Sequence, residues 1–121
     1  MANSFVHVEL NTQDLDKSKA FYSQLFDWTL EDTPMPGDMT YTLIKPGSGT
    51  GGGMMKHPMP GAPSMWLPYV QVDDIHASTE KAKALGANVI VGPHEIPNVG
   101  SFTIFIDPTG ATLAMWKPKT P

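Results

Sequence analysis

Residues 5–28, FVHVELNTQDLDKSKAFYSQLFDW, change their hydrophobic period halfway along, and that change decides the fold. From Phe5 to Leu10, Val6, Val8 and Leu10 alternate with Phe5, His7 and Glu9, which is the pattern of a strand with two unlike faces. Asp14 then offers a side-chain oxygen to the unpaired amides of a helix start. Leu15, Ser18, Tyr22 and Leu25 follow at three- and four-residue spacing, one stripe able to lie on the apolar side of the strand.

The same unit returns sixty positions later, with Asp74, Ile75, Ser78, Ala82 and Leu85 standing for Asp14, Leu15, Ser18, Tyr22 and Leu25. Trp66, Pro68 and Val70 stand for Val6, Val8 and Leu10. A cap, a stripe and a preceding strand that recur together argue for two copies of one unit.

After the first helix, Trp28 to Glu31 reads as a short strand broken by residues 33–37, TPMPG. Met39 to Lys45 is a second strand, and Gly51 to Lys56 a weaker one because three glycines pack no side chain. The Pro-punctuated HPMPGAPS of residues 57–64 is the expected linker. The second unit runs from Met65 to Val72, through a helix from Ile75 to Leu85 closed by Gly86, to a strand over Asn88 to Val91. Gly92-Pro93 opens a connection to the strand Ser101 to Asp107; the turn Asp107-Pro108-Thr109-Gly110 leads to a last strand, Ala111 to Trp116. The expected fold is α+β, a single domain over residues 1–121. Its two βαβββ repeats, about 5–56 and 65–117, form curved mixed sheets around a cleft with the helices outside.

Bulk properties narrow the function. A chain of 121 residues is one domain's worth, and at that size folding buries roughly two-thirds of the unfolded surface. A net charge of −4 without a basic run gives nucleic acid no electrostatic footing. Cysteine is absent, so disulfides, thiol nucleophiles and cysteine metal sites are excluded. No run approaches the roughly 18 apolar residues of a membrane span, and no basic-then-apolar leader opens the chain; a cytoplasmic protein is expected. Eight methionines suit either gap-filling in a small core or an interior that accommodates a ligand.

Residues 7–28, 70–89 (VQVDDIHASTEKAKALGANV) and 105–118 (FIDPTGATLAMWKP) resemble the vicinal-oxygen-chelate superfamily, which includes glyoxalase I, extradiol dioxygenases and bleomycin-resistance proteins. The resemblance spans essentially the whole chain. It is closer still to small glyoxalase-like proteins with an NSF start and a W/FKP end, here residues 3–5 and 116–118. Metal-dependent members hold an ion with four cleft-facing His, Gln or Glu side chains. Carried over, those positions fall on His7, Gly53, Leu67 and Ala114, of which His7 alone is a competent ligand type. The resemblance therefore implies the fold, while the donor set disfavours a divalent metal; no cofactor is expected. Homodimerisation follows by analogy and would cover open strand edges.

On the cleft face, His7 and Glu9 are candidates for general base and orienting carboxylate, or for pocket lining without chemistry. Tyr69, Gln71 and Trp116 join them as expected ligand contacts. His57, His76, His94 and Glu95 are expected in solvent, and Trp66, Tyr69, Phe102 and Trp116 in a core or on a dimer surface, with Trp116 the aromatic singled out for ligand contact. The run GSGTGGG, residues 47–53, lacks the Lys-Ser/Thr and following helix of a phosphate loop, and fits a turn and strand that let a ligand approach the backbone. Two functions remain: a metal-free binding module for a small, partly apolar organic molecule, drug sequestration being one version, or an enzyme. The enzyme would be a lyase or dioxygenase with a rearranged metal site, or a metal-free acid–base catalyst using His7 and Glu9.

Overall fold

Two helices and eight strands carry the chain in the computed structural model, which describes residues 3–119. The ends of the expected 1–121 domain, residues 1–2 and 120–121, lie outside the described residues. The strands are β1 (Phe5–Thr12), β2 (Thr29–Met35), β3 (Met39–Lys45), β4 (Gly52–Lys56), β5 (Met65–Gln71), β6 (Asn88–Ile96), β7 (Gly100–Ile106) and β8 (Thr112–Pro118). The helices are α1 (Leu15–Leu25) and α2 (Ile75–Ala84). The described chain divides into two compact units, an N-terminal one from His7 to Leu67 and a C-terminal one of residues 68–119 that also takes in residues 3–6.

Each unit obeys the same pairing rule. In the N-terminal unit β2, β3 and β4 form an antiparallel meander, and β1 runs parallel to β4 with Glu9 beside Gly53. In the C-terminal unit β6, β7 and β8 form the meander, and β5 runs parallel to β8 with Tyr69 beside Ala114. The two caps are equally alike. Asp14 accepts from the Lys17 amide and Asp74 from the Ala77 amide, both at 3.0 Å. The repeat read from the sequence is thus a repeat of backbone topology.

Packing follows the alternation. Leu10, Ile44 and Met54 form one buried cluster, covered by Leu15 and Tyr22 of α1 with Trp28 and Leu30. Val72, Ile75 and Met115 form the other, covered by Ala82 of α2 and by Phe105. The helix stripes stop short of their expected ends, since Leu25 and Leu85 are 56% and 70% exposed. In the N-terminal unit Trp28 takes that place, its ring 5.6 Å from Tyr22 and 6.4 Å from Trp66. In the C-terminal unit the buried helix position is Thr79, whose hydroxyl donates to the Ile75 carbonyl at 2.6 Å and meets Thr103 at 2.8 Å.

Two strands run past the prolines at which the sequence reading ended them. β2 runs through Thr33-Pro34-Met35, and β6 runs through Gly92-Pro93. Both are outer strands of their meanders, where a missing proline donor is tolerated, and β6 absorbs its pair with register shifts between Val89 and His94. The expected linker, residues 57–64, is fastened: the Gln13 side chain donates to the Met59 and Ala62 carbonyls, and the Gln13 backbone amide donates to the Ser64 hydroxyl.

Met54 has no exposed surface, so Met54→Ala should cost about 2–5 kcal/mol. Leu85→Ser, at an exposed helix end, should stay within about 0.5 kcal/mol of the parent. Urea unfolding of the two variants checks the pair; equal losses would contradict the packing described.

Candidate functional site

Alternation places Leu10, Met54 and Ile44 against α1, so the residues between them face the other way. Ladder pairing then sets Glu9, Gly53 and Leu43 in one row across that face and Asn11 and Met55 in the next, with Tyr41 on the same face of β3 two residues before Leu43. His7 lies on the same face one step before Glu9. The polar centre of the N-terminal unit is assembled from β1 and β3, with the glycines of β4 between them.

Tyr41 joins this centre. Its hydroxyl lies 2.8 Å from His7 Nε2 and donates to Glu9 Oε1 at 2.8 Å. Asn11 Nδ2 donates to the other carboxylate oxygen at 3.4 Å. Tyr41 has one hydroxyl proton, and it is directed at Glu9; His7 Nε2 therefore carries a hydrogen and donates to the phenol oxygen. The order is imidazole to phenol to carboxylate. Burial of a carboxylate is costly unless its oxygens are hydrogen-bonded, and Glu9, 8% exposed, has a donor on each. Burial holds the His7 pKa below the ordinary value of 6.5, which keeps the ring neutral at neutral pH.

The glycine run of residues 51–53 makes room for protein, correcting the expectation that a ligand would approach its backbone. A Cβ at Gly53 would collide with the phenol Oη and Cζ of Tyr41, and one at Gly52 with the Val8 carbonyl. Gly53 has ordinary strand backbone, so its requirement is space alone. Tyr41 was missed in the sequence because a tyrosine in an alternating strand reads as packing. The usable signal was the repeat: aligning Met54 with Met115 sets Tyr41 against Phe102 and Gly53 against Ala114. With His7 set against Leu67 and Glu9 against Tyr69, the polar centre has an apolar and aromatic counterpart.

Tyr69, Gln71 and Trp116, expected beside His7 and Glu9, belong to the C-terminal unit and are described there. Tyr69 and Ala114 are buried. Gln71 is held by backbone, its amide donating to the Ser4 carbonyl at 2.9 Å. The Trp116 ring lies over Gly100, where a Cβ would strike Cζ2 and Cη2. His94 sits in β6 with its ring 5.3 Å from Phe102, and both His94 and Glu95 are exposed. His57 accepts from the Met59 amide at 3.0 Å, while His76 is exposed in the first turn of α2.

Among the described residues no three His, Cys, Asp or Glu side chains gather closely enough to hold a metal ion. Leu67 and Ala114 are 3% and 0% exposed and carry no donor, and Gly53 carries no side chain. His7 and Glu9 do converge on one point, but the phenol oxygen fills it. The residues present do not fit the ion that the fold's metal-dependent relatives hold.

Comparison with known proteins gives the lineage. "Putative glyoxylase CFP32" of Mycobacterium tuberculosis is 39% identical over 110 residues, which is 91% of this chain and 42% of that protein. The chain therefore spans less than half the length of this curated relative. The hypothetical protein BH1468 of Bacillus halodurans C-125 superposes with a TM-score of 0.76 at 12% identity, covering 100% of this chain and 98% of that one. Methylmalonyl-CoA epimerase of Streptomyces coelicolor, solved in complex with 2-nitronate-propionyl-CoA, gives a TM-score of 0.73 at 11% identity, covering 99% and 100%. At these identities the two structures establish the shared fold. No helix among the described residues is long and apolar enough to cross a membrane. A model of the Glyoxalase/Bleomycin resistance protein/Dioxygenase superfamily matches residues 4–115, and the chain belongs to that superfamily.

Proposed function

We propose that this chain binds a small, partly apolar organic molecule on the face of its N-terminal sheet that carries His7, Tyr41 and Glu9, and does so without a divalent metal. The observation that carries the reading is the hydrogen-bonded order from imidazole through phenol to carboxylate. Such an array is pre-organised: its members are already oriented, so a guest meets fixed dipoles and little ordering entropy opposes binding. Leu43 and Met55, half-buried on the same face, supply apolar flanks for the guest. The superfamily and the CoA ester held by the epimerase of Streptomyces coelicolor support a small organic ligand.

Acid–base catalysis is the second reading. It is favoured by three titratable groups linked at 2.8 Å, close enough to pass a proton. His7→Ala and Glu9→Gln test it once a ligand is in hand: turnover lost with binding retained favours catalysis, and turnover unchanged by both variants removes the pair from it.

Fragment screening by protein NMR with EDTA present tests the first reading. Carbonyl- and hydroxyl-bearing fragments should shift the signals of His7, Glu9 and Tyr41. Tyr41→Phe should weaken the bound fragment by about tenfold, the scale of a hydrogen bond to a charged group. Binding that appears only after a metal is added would overturn it.

The low pKa of His7 gives a second test. Unfolded, the ring titrates near 6.5; folded, it resists protonation, so below that pH the unfolded chain binds more protons. The His7 contribution to stability is present in full above pH 6.5 and is lost as pH falls through the folded value. The stability gap between wild type and His7→Asn, read by urea unfolding, should therefore narrow on acidification; a gap that widens would contradict the buried neutral ring.

A further inference from the structure

We infer that this site selects guests that donate hydrogen bonds: apolar molecules bearing an alcohol, phenol or amine group, and not carboxylates, phosphates or ethers of similar size. That selectivity rests on the binding reading above and names the chemical class the face takes. Its source is the direction of the hydrogens. The imidazole N–H of His7 runs to the Tyr41 oxygen, and the Tyr41 hydroxyl runs to Glu9 Oε1. The Asn11 side-chain amide runs to Glu9 Oε2. Three hydrogens thus point inward along the array, two of them at one carboxylate. A neutral imidazole with its hydrogen on Nε2 can only accept at Nδ1, and an ionised carboxylate can only accept at either oxygen. A guest hydroxyl or N–H therefore meets acceptors here. A guest ether or carboxylate oxygen meets lone pairs instead, and gives up its hydrogen bonds to water without replacement.

The charges on the same face agree. The row Glu9, Gly53 and Leu43 continues across the sheet to Glu31. Lys45, two residues beyond Leu43 on that side of β3, is held by Glu31 at 2.7 Å. Lys56 falls in step with Met54 and so lies on the α1 side, and Lys17 and Lys19 belong to α1 itself. An anionic guest would thus find a carboxylate at each end of the row and the lysine of the face already engaged. Half-buried Leu43 and Met55 suit the apolar body of the guest.

NMR titration with matched pairs tests this in the presence of EDTA: phenol against anisole, benzyl alcohol against benzyl methyl ether, and benzylamine against benzoate. Each ether carries a methyl group in place of the donated hydrogen and is the more apolar of its pair, so burial alone would favour the ether. The donor of each pair should bind wild type at least about tenfold more tightly, shifting the signals of His7, Glu9 and Tyr41. Glu9→Gln puts amide hydrogens where the carboxylate accepts, and Tyr41→Phe takes the acceptor away from the His7 hydrogen. Either variant, once circular dichroism shows it folded, should bring the ratio within each ether pair towards one. The wild-type ratios need no variant. Ethers or benzoate that bind wild type as tightly as their partners would overturn the inference and leave the binding reading standing, as would a preference unchanged in a folded variant. If no member of any pair shifts His7, Glu9 or Tyr41, the binding reading falls and the inference with it.

Discussion

One phenol oxygen organises the polar centre of the N-terminal unit. Tyr41 Oη accepts from His7 and donates to Glu9, and the ring that carries it is admitted only because Gly53 has no side chain. The arrangement satisfies a buried carboxylate and orients a neutral imidazole, so it answers two costs of burial at once. It also uses both strands that flank β4, which ties the site to the meander and to the parallel pairing of β1. A shift of one residue in either ladder would send His7, Glu9 or Tyr41 to the α1 side.

The duplicated fold supplies the frame and leaves the two units free to diverge. Their capping aspartates, their parallel outer pairing and their methionine-centred cores correspond, Met54 in one and Met115 in the other. Away from the helices they differ. His7, Glu9, Tyr41 and Gly53 are matched by Leu67, Tyr69, Phe102 and Ala114, so one face is polar and the corresponding one apolar and aromatic. Both units nevertheless lay an aromatic ring over a glycine, Tyr41 over Gly53 and Trp116 over Gly100. Sheet positions without side chains serve here as seats for rings.

Much of the frame was legible in the sequence because it depends on short-range signals. Alternation from Val6 to Leu10, the caps at Asp14 and Asp74, and the Asp107 turn each involve neighbours along the chain, and each forms where expected. The Asp107 carboxylate accepts from the Thr109 hydroxyl and from the Thr109 and Ala111 amides, which holds its pKa below the ordinary carboxylate value. Prolines misled at Pro34 and Pro93, since local reasoning takes proline as a stop and cannot see that β2 and β6 are outer strands of their meanders. The helix ends misled because a stripe says which side chains could pack, whereas Trp28 decides which do. His7 and Glu9 were visible as a pair, but Tyr41 comes from 32 positions beyond Glu9. Its role needed the β3–β4–β1 register, a long-range fact that composition and spacing do not contain.

The central claim is that the Tyr41 phenol, itself accepting from the His7 N–H, and the Asn11 amide satisfy Glu9 without an ion. Long-range proton–nitrogen NMR of His7 measures this directly, before and after an equivalent of zinc. The account requires a hydrogen on Nε2, an unprotonated Nδ1 and a spectrum that zinc leaves unchanged. A hydrogen on Nδ1 with Nε2 shifted by bound zinc would contradict it.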